Sequence, residues 1–246
     1  MAHQVQQMAY VGETPWHGLG NPLTPQQPIE IWQHEAGMDW RIEETDVLYS
    51  VSGGDGLHLK TNPDAKILFR SDNHAPLSVV SNRYKVVQPH DVLEFYRDLV
   101  SVGGFELETA GVLKGGRKLW ALAKTGQETM LRGGDKVKAY LLLATSCDGT
   151  ICTTAQFTSV RVVCNNTLQL AVSDAVGAVK VPHSTLFDPS RVKQELGLGL
   201  SAWDRFKADI DKLAARPVHK FAAMNYLVEV LGDPSVPLAE QPNQKA

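Results

Sequence analysis

Several features that would tie this 246-residue chain to a particular chemistry are scarce or missing. The three cysteines, Cys147, Cys152 and Cys164, are too few and wrongly spaced for a disulfide framework or a tetrahedral zinc site, so free thiols in a reducing compartment are expected. No apolar run approaches the length of a membrane span, and the first residues carry no apolar signal core; a cytoplasmic location without membrane contact is expected. Neither G-x-G-x-x-G nor G-x-x-x-x-G-K-[ST] occurs, so no nucleotide cofactor is expected. The histidines lack H-E-x-x-H spacing and no acidic pair stands out, so no metal is expected. The net charge of −3 lacks the sign of an overall polyanion binder.

What the chain does have is 43% hydrophobic residues, enough for a substantial core, and an uneven distribution of charge. Residues 1–50 hold one base, Arg41, against seven acids, whereas residues 114–138 hold seven bases against two acids. The middle of the chain is locally basic, which is what forms a binding surface.

Residues 9–22 read as a structured loop rich in Gly and Pro, and residues 29–37 as a short helix ending at Gly37. Residues 40–51 and 66–70 read as strands with turns at 53–56 and 62–64 between them. Val92, Phe95, Tyr96, Leu99 and Val100 predict a helix from Asp91. Two hairpins follow: 105–114 with 117–124 across Gly115-Gly116, and 136–147 with 150–164 across Asp148-Gly149. Asn165, Asn166 and Thr167 are residue types that start helices, and Leu168, Ala171 and Val172 continue at helical spacing. A long amphipathic helix is expected from Asp188-Pro189 towards Leu213, then a shorter one over 221–231 and a disordered tail over 235–246. The fold class is α+β: a central antiparallel sheet of β-β-β-β-α order packed by helices, with a core over 1–187 and a helical segment over 188–234.

A two-residue loop at Asp148-Gly149 would set Lys136 opposite Arg161, Lys138 opposite Ser159 and Tyr140 opposite Phe157, all on one face. Facing cations are tolerable beside an anion, and cations with an aromatic pair make up a single-strand nucleic-acid groove. A core role for both rings, with the cations extended to water, is the competing possibility. Arg117 and Lys118, after the glycine pair, and Asn165 and Asn166, at the helix start, are further candidate phosphate contacts. Cys164 and His17 are a nucleophile and base only if the fold joins them, and a structural role for each is the plainer expectation.

Three motifs, Thr14-Pro-Trp-His-Gly-Leu-Gly20, Ser81-Asn-Arg-Tyr-Lys-Val-Val-Gln88 and Thr158-Ser-Val-Arg-Val-Val-Cys-Asn-Asn-Thr-Leu168, resemble the phage/plasmid-like domain-of-unknown-function family. The order of strands and helix is similar, more distantly, to the core of RecT, Redβ and eukaryotic Rad-type single-strand annealing proteins. The resemblance implies a bacterial cytoplasmic setting, sequence-tolerant binding and annealing of single-stranded DNA without cofactor, and homo-oligomers in a ring or filament. An enzyme at Cys164 and His17, or an interaction or anti-defence module without DNA contact, are the alternatives.

Overall fold

The computed structural model describes residues 3–54, 56–101, 103–130, 136–173, 177–197, 208, 211–212 and 215–231. Among the described residues, ten strands form two sheets. The larger contains β1 (Val5–Val11), β2 (Asn21–Leu23), β6 (Glu106–Leu113), β7 (Lys118–Met130), β8 (Lys136–Ser146), β9 (Thr153–Thr158) and β10 (Val179–Val181), in the order β10-β9-β8-β7-β6-β1-β2. Only β1 and β2 run parallel; every other pair is antiparallel. The smaller sheet is β3 (Ile42–Gly53), β4 (Gly56–Arg70) and β5 (Pro76–Ser81).

The expected succession of four antiparallel strands and a helix is present as β6 to β9 followed by α4 (Asn165–Ser173). β1, β2, β5, β10 and the first half of β4 are additional to the sequence expectation. Alternation along the strands gives the large sheet two apolar faces. One face, with Leu119, Ala121, Leu141 and Leu143, packs against α1 (Ile29–Glu35), α2 (Pro89–Glu94) and the base of the small sheet. The other, with Met8, Trp120, Leu122 and Leu142, is covered by residues 159–164 and by Leu168 and Ala171 of α4. Gly111 matters here: an added Cβ would meet the Trp120 ring, with the Gln7 carbonyl oxygen and Met8 Cβ each at 2.7 Å.

The helix expected from Asp91 is broken into α2 and α3 (Arg97–Ser101). Between them Phe95 and Tyr96 are both fully buried, and the Tyr96 hydroxyl donates to the Ala121 and Leu141 carbonyls at 2.8 and 3.0 Å. Gln88 ties the layers together: its side chain accepts from Ile42 N at 2.8 Å and donates to Ile42 O at 3.0 Å.

The long helix expected from Asp188 is described as α5 (Pro189–Gly197), started by Asp188 Oδ1 accepting from Ser190 N and Arg191 N. Residues 198–207 and the expected tail 235–246 lie outside the described residues. The last described helix, α6, is Lys220–Leu231. Among the described residues no helix is long and apolar enough to cross a membrane.

β3 and β4 extend well beyond the third strand, because β5 pairs only with the Ala65–Phe69 end of β4. Beyond it, residues 47–53 of β3 and 56–62 of β4 form a two-stranded arm. Asn62, Pro63 and Asp64, expected as a turn, instead lie at the register shift where Val47 pairs with Asn62 and Asp46 with Lys66. The Asn62 side chain accepts from Asp64 N at 2.9 Å, the local closure that mimics a turn in sequence.

Candidate nucleic-acid interface

The second hairpin requires a correction. β8 ends at Ser146 and β9 begins at Thr153, so the connection is longer than the two residues Asp148 and Gly149. Ser146 Oγ donates to Ile151 O and accepts from Ile151 N, both at 3.0 Å, and so closes a wide loop. Tyr140 consequently pairs with Thr158, and Leu141 with Phe157. This is a shift of one residue, and one residue reverses the face of every partner. Phe157 packs in the core on the α1 and α2 side of the sheet, whereas Tyr140 is buried on the opposite side. Lys136 does not face Arg161, nor Lys138 Ser159: β9 stops at Thr158, and both lysines lie across β7, where Lys138 pairs with Glu128 and Lys136 with Met130.

Arg161 lies on the segment crossing from β9 to α4, and its contacts are internal. Its guanidinium bonds Glu108 Oε1 and donates to the carbonyls of Val11 at 3.3 Å and Glu13 at 2.8 Å. The Glu108 side chain is only 4% exposed, and Lys124 Nζ stands 3.0 Å from its second oxygen. The Tyr140 hydroxyl donates to Glu108 at 3.5 Å, and burial followed by the Glu108 charge raises the phenol above its ordinary range. These four side chains form a closed charge network that pins the β1–β2 loop to β6 and to the segment before α4. Lys136 pairs with Glu128 at 2.5 Å, which occupies a second expected DNA cation.

The opposite end of the sheet has a different electrostatic character. The chain between β6 and β7 makes a tight 3-10 turn over Lys114–Gly116, with φ of +52°, +72° and +107° at Lys114, Gly115 and Gly116. The two glycines make this left-handed turn possible. Lys114 N donates to Gln4 O at 3.0 Å, which brings the start of β1 alongside. His3, Gln4, Val5, Gln6, Lys114, Gly115 and Arg117 line an open depression of about 580 Å³. Lys118 lies behind it, 3% exposed, its ammonium acidified by burial and by the neighbouring Lys114 charge. Among the described residues, none of Lys114, Arg117 and Lys118 has a carboxylate within ion-pair distance.

The second motif meets this same end. The Tyr84 hydroxyl donates to Ser146 O at 2.9 Å, and Cys147 N donates to Arg117 O at 2.9 Å. The Tyr84 ring stacks on His183 with centroids 4.4 Å apart, and Lys85 N donates to His183 O. Arg83, Lys85 and Lys180, all exposed and without an ion-pair partner among the described residues, therefore join the loops around Ser146 and Cys147.

The strand-to-helix junction lies beside the depression. Asn165 N donates to His3 O at 3.0 Å, and Asn166 is exposed. The hydroxyl of Thr167, rather than either asparagine, satisfies the local backbone, accepting from Val163 N and Cys164 N at 2.9 and 3.0 Å. His17 also docks here, and the fold does join its neighbourhood to that of Cys164. Nε2 donates to Val163 O at 2.9 Å while Nδ1 accepts from Leu19 N at 3.1 Å, so both ring nitrogens are engaged. Cys164 is 1% exposed and contacts Thr167. This arrangement suits structural anchoring better than a nucleophile with its base. Among the described residues no cluster of His, Cys, Asp and Glu has the makings of a metal site.

Of the residues singled out in sequence, Arg117, Lys118, Asn165 and Asn166 therefore gather at one end, while Lys136, Lys138, Tyr140 and Arg161 lie towards the other and Phe157 is on the far face. Lys136 and Ser146 stand at opposite ends of the 11-residue strand β8, about 33 Å of extended chain apart. Lys114, Arg83, Lys85, Lys180 and Trp16 were not singled out. The string Lys114-Gly-Gly-Arg117-Lys118 was the available signal for the first of them, since two glycines between cations expose backbone and charge together.

No curated protein and no solved structure matches the chain. The family described as "Domain of unknown function (DUF932)" matches residues 76–246, which takes in the second and third motifs, the strands β5 to β10 and every described helix after α1. By that match the chain belongs to the DUF932 family.

Proposed function

We propose that the protein binds single-stranded DNA without regard to sequence and anneals complementary strands, in the recombination of phages or other mobile elements. The observation that carries this reading is the concentration of exposed cations, unpaired among the described residues, at one sheet end: Lys114 and Arg117 on the depression, Arg83 and Lys85 on the adjoining loop and Lys180 on β10, with Lys118 too buried to meet a phosphate itself. Cations already paired with carboxylates gain little from a phosphate, whereas unpaired ones release counterions from a polyanion on contact. The motifs at Ser81–Gln88 and Thr158–Leu168 both supply this end. Backbone contacts of this kind leave the base edges open to a second strand.

Self-assembly belongs to the same proposal, and the β3–β4 arm supports it. Leu48, Leu57 and Leu59 are 56%, 69% and 69% exposed on one face, and Tyr49 and Val51 project from the other. The outer edge of β3 is unpaired within the sheet, so a second copy can extend it by strand addition. Repeated along a filament or ring, such contacts would line up the cationic ends.

A mobility-shift titration with a 30-nucleotide single strand and its duplex, at low salt, tests the proposal. Binding of the single strand in preference to the duplex is expected. Absence of a shift with either nucleic acid would remove it.

A further inference from the structure

Trp16 is 70% exposed, while Trp32, Trp40 and Trp120 are 2%, 3% and 0% exposed. An exposed indole on a mobile loop would mean little, but this loop is held from several sides. Gly18 N donates to Pro15 O at 2.8 Å, the Tyr10 hydroxyl donates to Thr14 at 3.3 Å, and Arg161 holds Glu13 O at 2.8 Å. His17, fixed by its bonds to Leu19 N and Val163 O, packs edge-on to Trp16 with ring centroids 5.2 Å apart. The next ring is His3, 5.5 Å from His17, and His3 lines the depression that holds Lys114 and Arg117. The fold thus sets an indole in water on a rigid mount, two rings away from the densest group of unpaired cations.

We propose that Trp16 is a nucleobase-stacking site, taking an unpaired base of a strand whose phosphates lie at Lys114 and Arg117. This deepens the DNA-binding reading and rests on it. The chemistry is specific to single strands, because a base within a duplex has both faces covered by its neighbours. It is also sequence-tolerant, since every base offers a π-face. His17 and His3 act as positioning residues, the first bracing the indole and the second linking that brace to the depression.

The test is fluorescence anisotropy of labelled oligothymidine and of an abasic strand with the same number of phosphates, using wild type, Trp16→Phe, Trp16→Ala and Lys114→Gln/Arg117→Gln, each first shown to fold by circular dichroism. Trp16→Ala should weaken oligothymidine binding roughly 5- to 150-fold, the span of one base–aromatic stack, and leave the abasic strand unaffected. Trp16→Phe should keep most of the affinity, and the indole fluorescence of wild type should be quenched by oligothymidine but not by the abasic strand. Unchanged oligothymidine affinity in Trp16→Ala, or an equal loss on both strands, would overturn the stacking site while the loss in the double cation variant still upheld DNA binding. No binding of either strand by wild type would instead overturn the DNA reading, and with it this site.

Discussion

Replacing Arg161 by Ala separates two roles for the residue that chemistry alone would not distinguish. On the sequence it reads as a phosphate contact; in the fold its guanidinium neutralises Glu108, a carboxylate 4% exposed. Removing one partner of a buried ion pair costs about 3–5 kcal/mol, because the other charge stays buried. Two features lower that figure here. Arg161 is itself 21% exposed, and Lys124 remains 3.0 Å from the other Glu108 oxygen. The carbonyls of Val11 and Glu13 also lose a donor, a loss that water can partly replace. The expected destabilisation is about 2–3 kcal/mol, equivalent to a fall of roughly 5–10 °C in Tm for a chain of this size. Urea unfolding of wild type, Arg161→Ala, Glu108→Gln and the double variant measures it, and the double variant should be less destabilised than the two single losses added together. DNA affinity per folded molecule should fall less in Arg161→Ala than in Lys114→Gln/Arg117→Gln, because Arg161 meets no phosphate and only helps to hold the loop that carries Trp16. A stability loss below about 0.5 kcal/mol together with a large loss of affinity would refute the structural assignment and return Arg161 to the binding surface.

Three further outcomes are expected. The buried Cys147 thiol, pushed up to about 12 chiefly by burial, stays protonated at pH 8, so iodoacetamide should label exposed Cys152 first and spare Cys147 in native protein; early modification of Cys147 under mass spectrometry would contradict this. The sign is that of a raised acid: the stability gained by keeping this thiol neutral is present below the ordinary thiol range and is lost as pH rises towards about 12. Gly111→Ala should destabilise by about 1–3 kcal/mol in urea, since the Trp120 ring occupies the space a methyl needs; a neutral result would mean that the β1–β6–β7 packing is looser than described. Leu57→Lys with Leu59→Lys should shift the mass measured by light scattering towards the monomer while leaving the circular dichroism spectrum intact, and an unchanged mass distribution would remove the arm from self-assembly.

Local signals in the sequence carried much of the topology, and their limits have physical causes. Gly115-Gly116 marked a true hairpin, Asp188 a true helix start, and the strand order before α4 followed from the two hairpins. Asp148-Gly149 looked equally like a two-residue turn, but the Ser146 side chain bridges to Ile151 and widens the loop, and the resulting shift of one residue put Phe157 on the wrong face. β1 escaped notice because Val5-Gln-Gln-Met-Ala-Tyr-Val11 has no clean alternation; its second half is buried on both sides of the sheet. Asn62-Pro63-Asp64 concealed the first half of β4 by carrying turn chemistry inside a strand. The cationic end was legible only in part: Arg117 and Lys118 could be named, yet nothing local says that Arg83, Lys85 and Lys180 join them, since that depends on Tyr84 reaching Ser146 and His183 reaching Ile151.

The most direct measurement is the salt dependence of single-strand affinity for wild type and for Lys114→Gln/Arg117→Gln. Each phosphate contact on a single strand contributes about 0.7 to the slope of log affinity against log salt. The double variant should bind more weakly at every salt concentration and show a slope smaller by about 1.4, two contacts' worth. Equal slopes for the two folded proteins, or a wild type that fails to bind oligothymidine at low salt, would contradict the assignment of this sheet end to DNA.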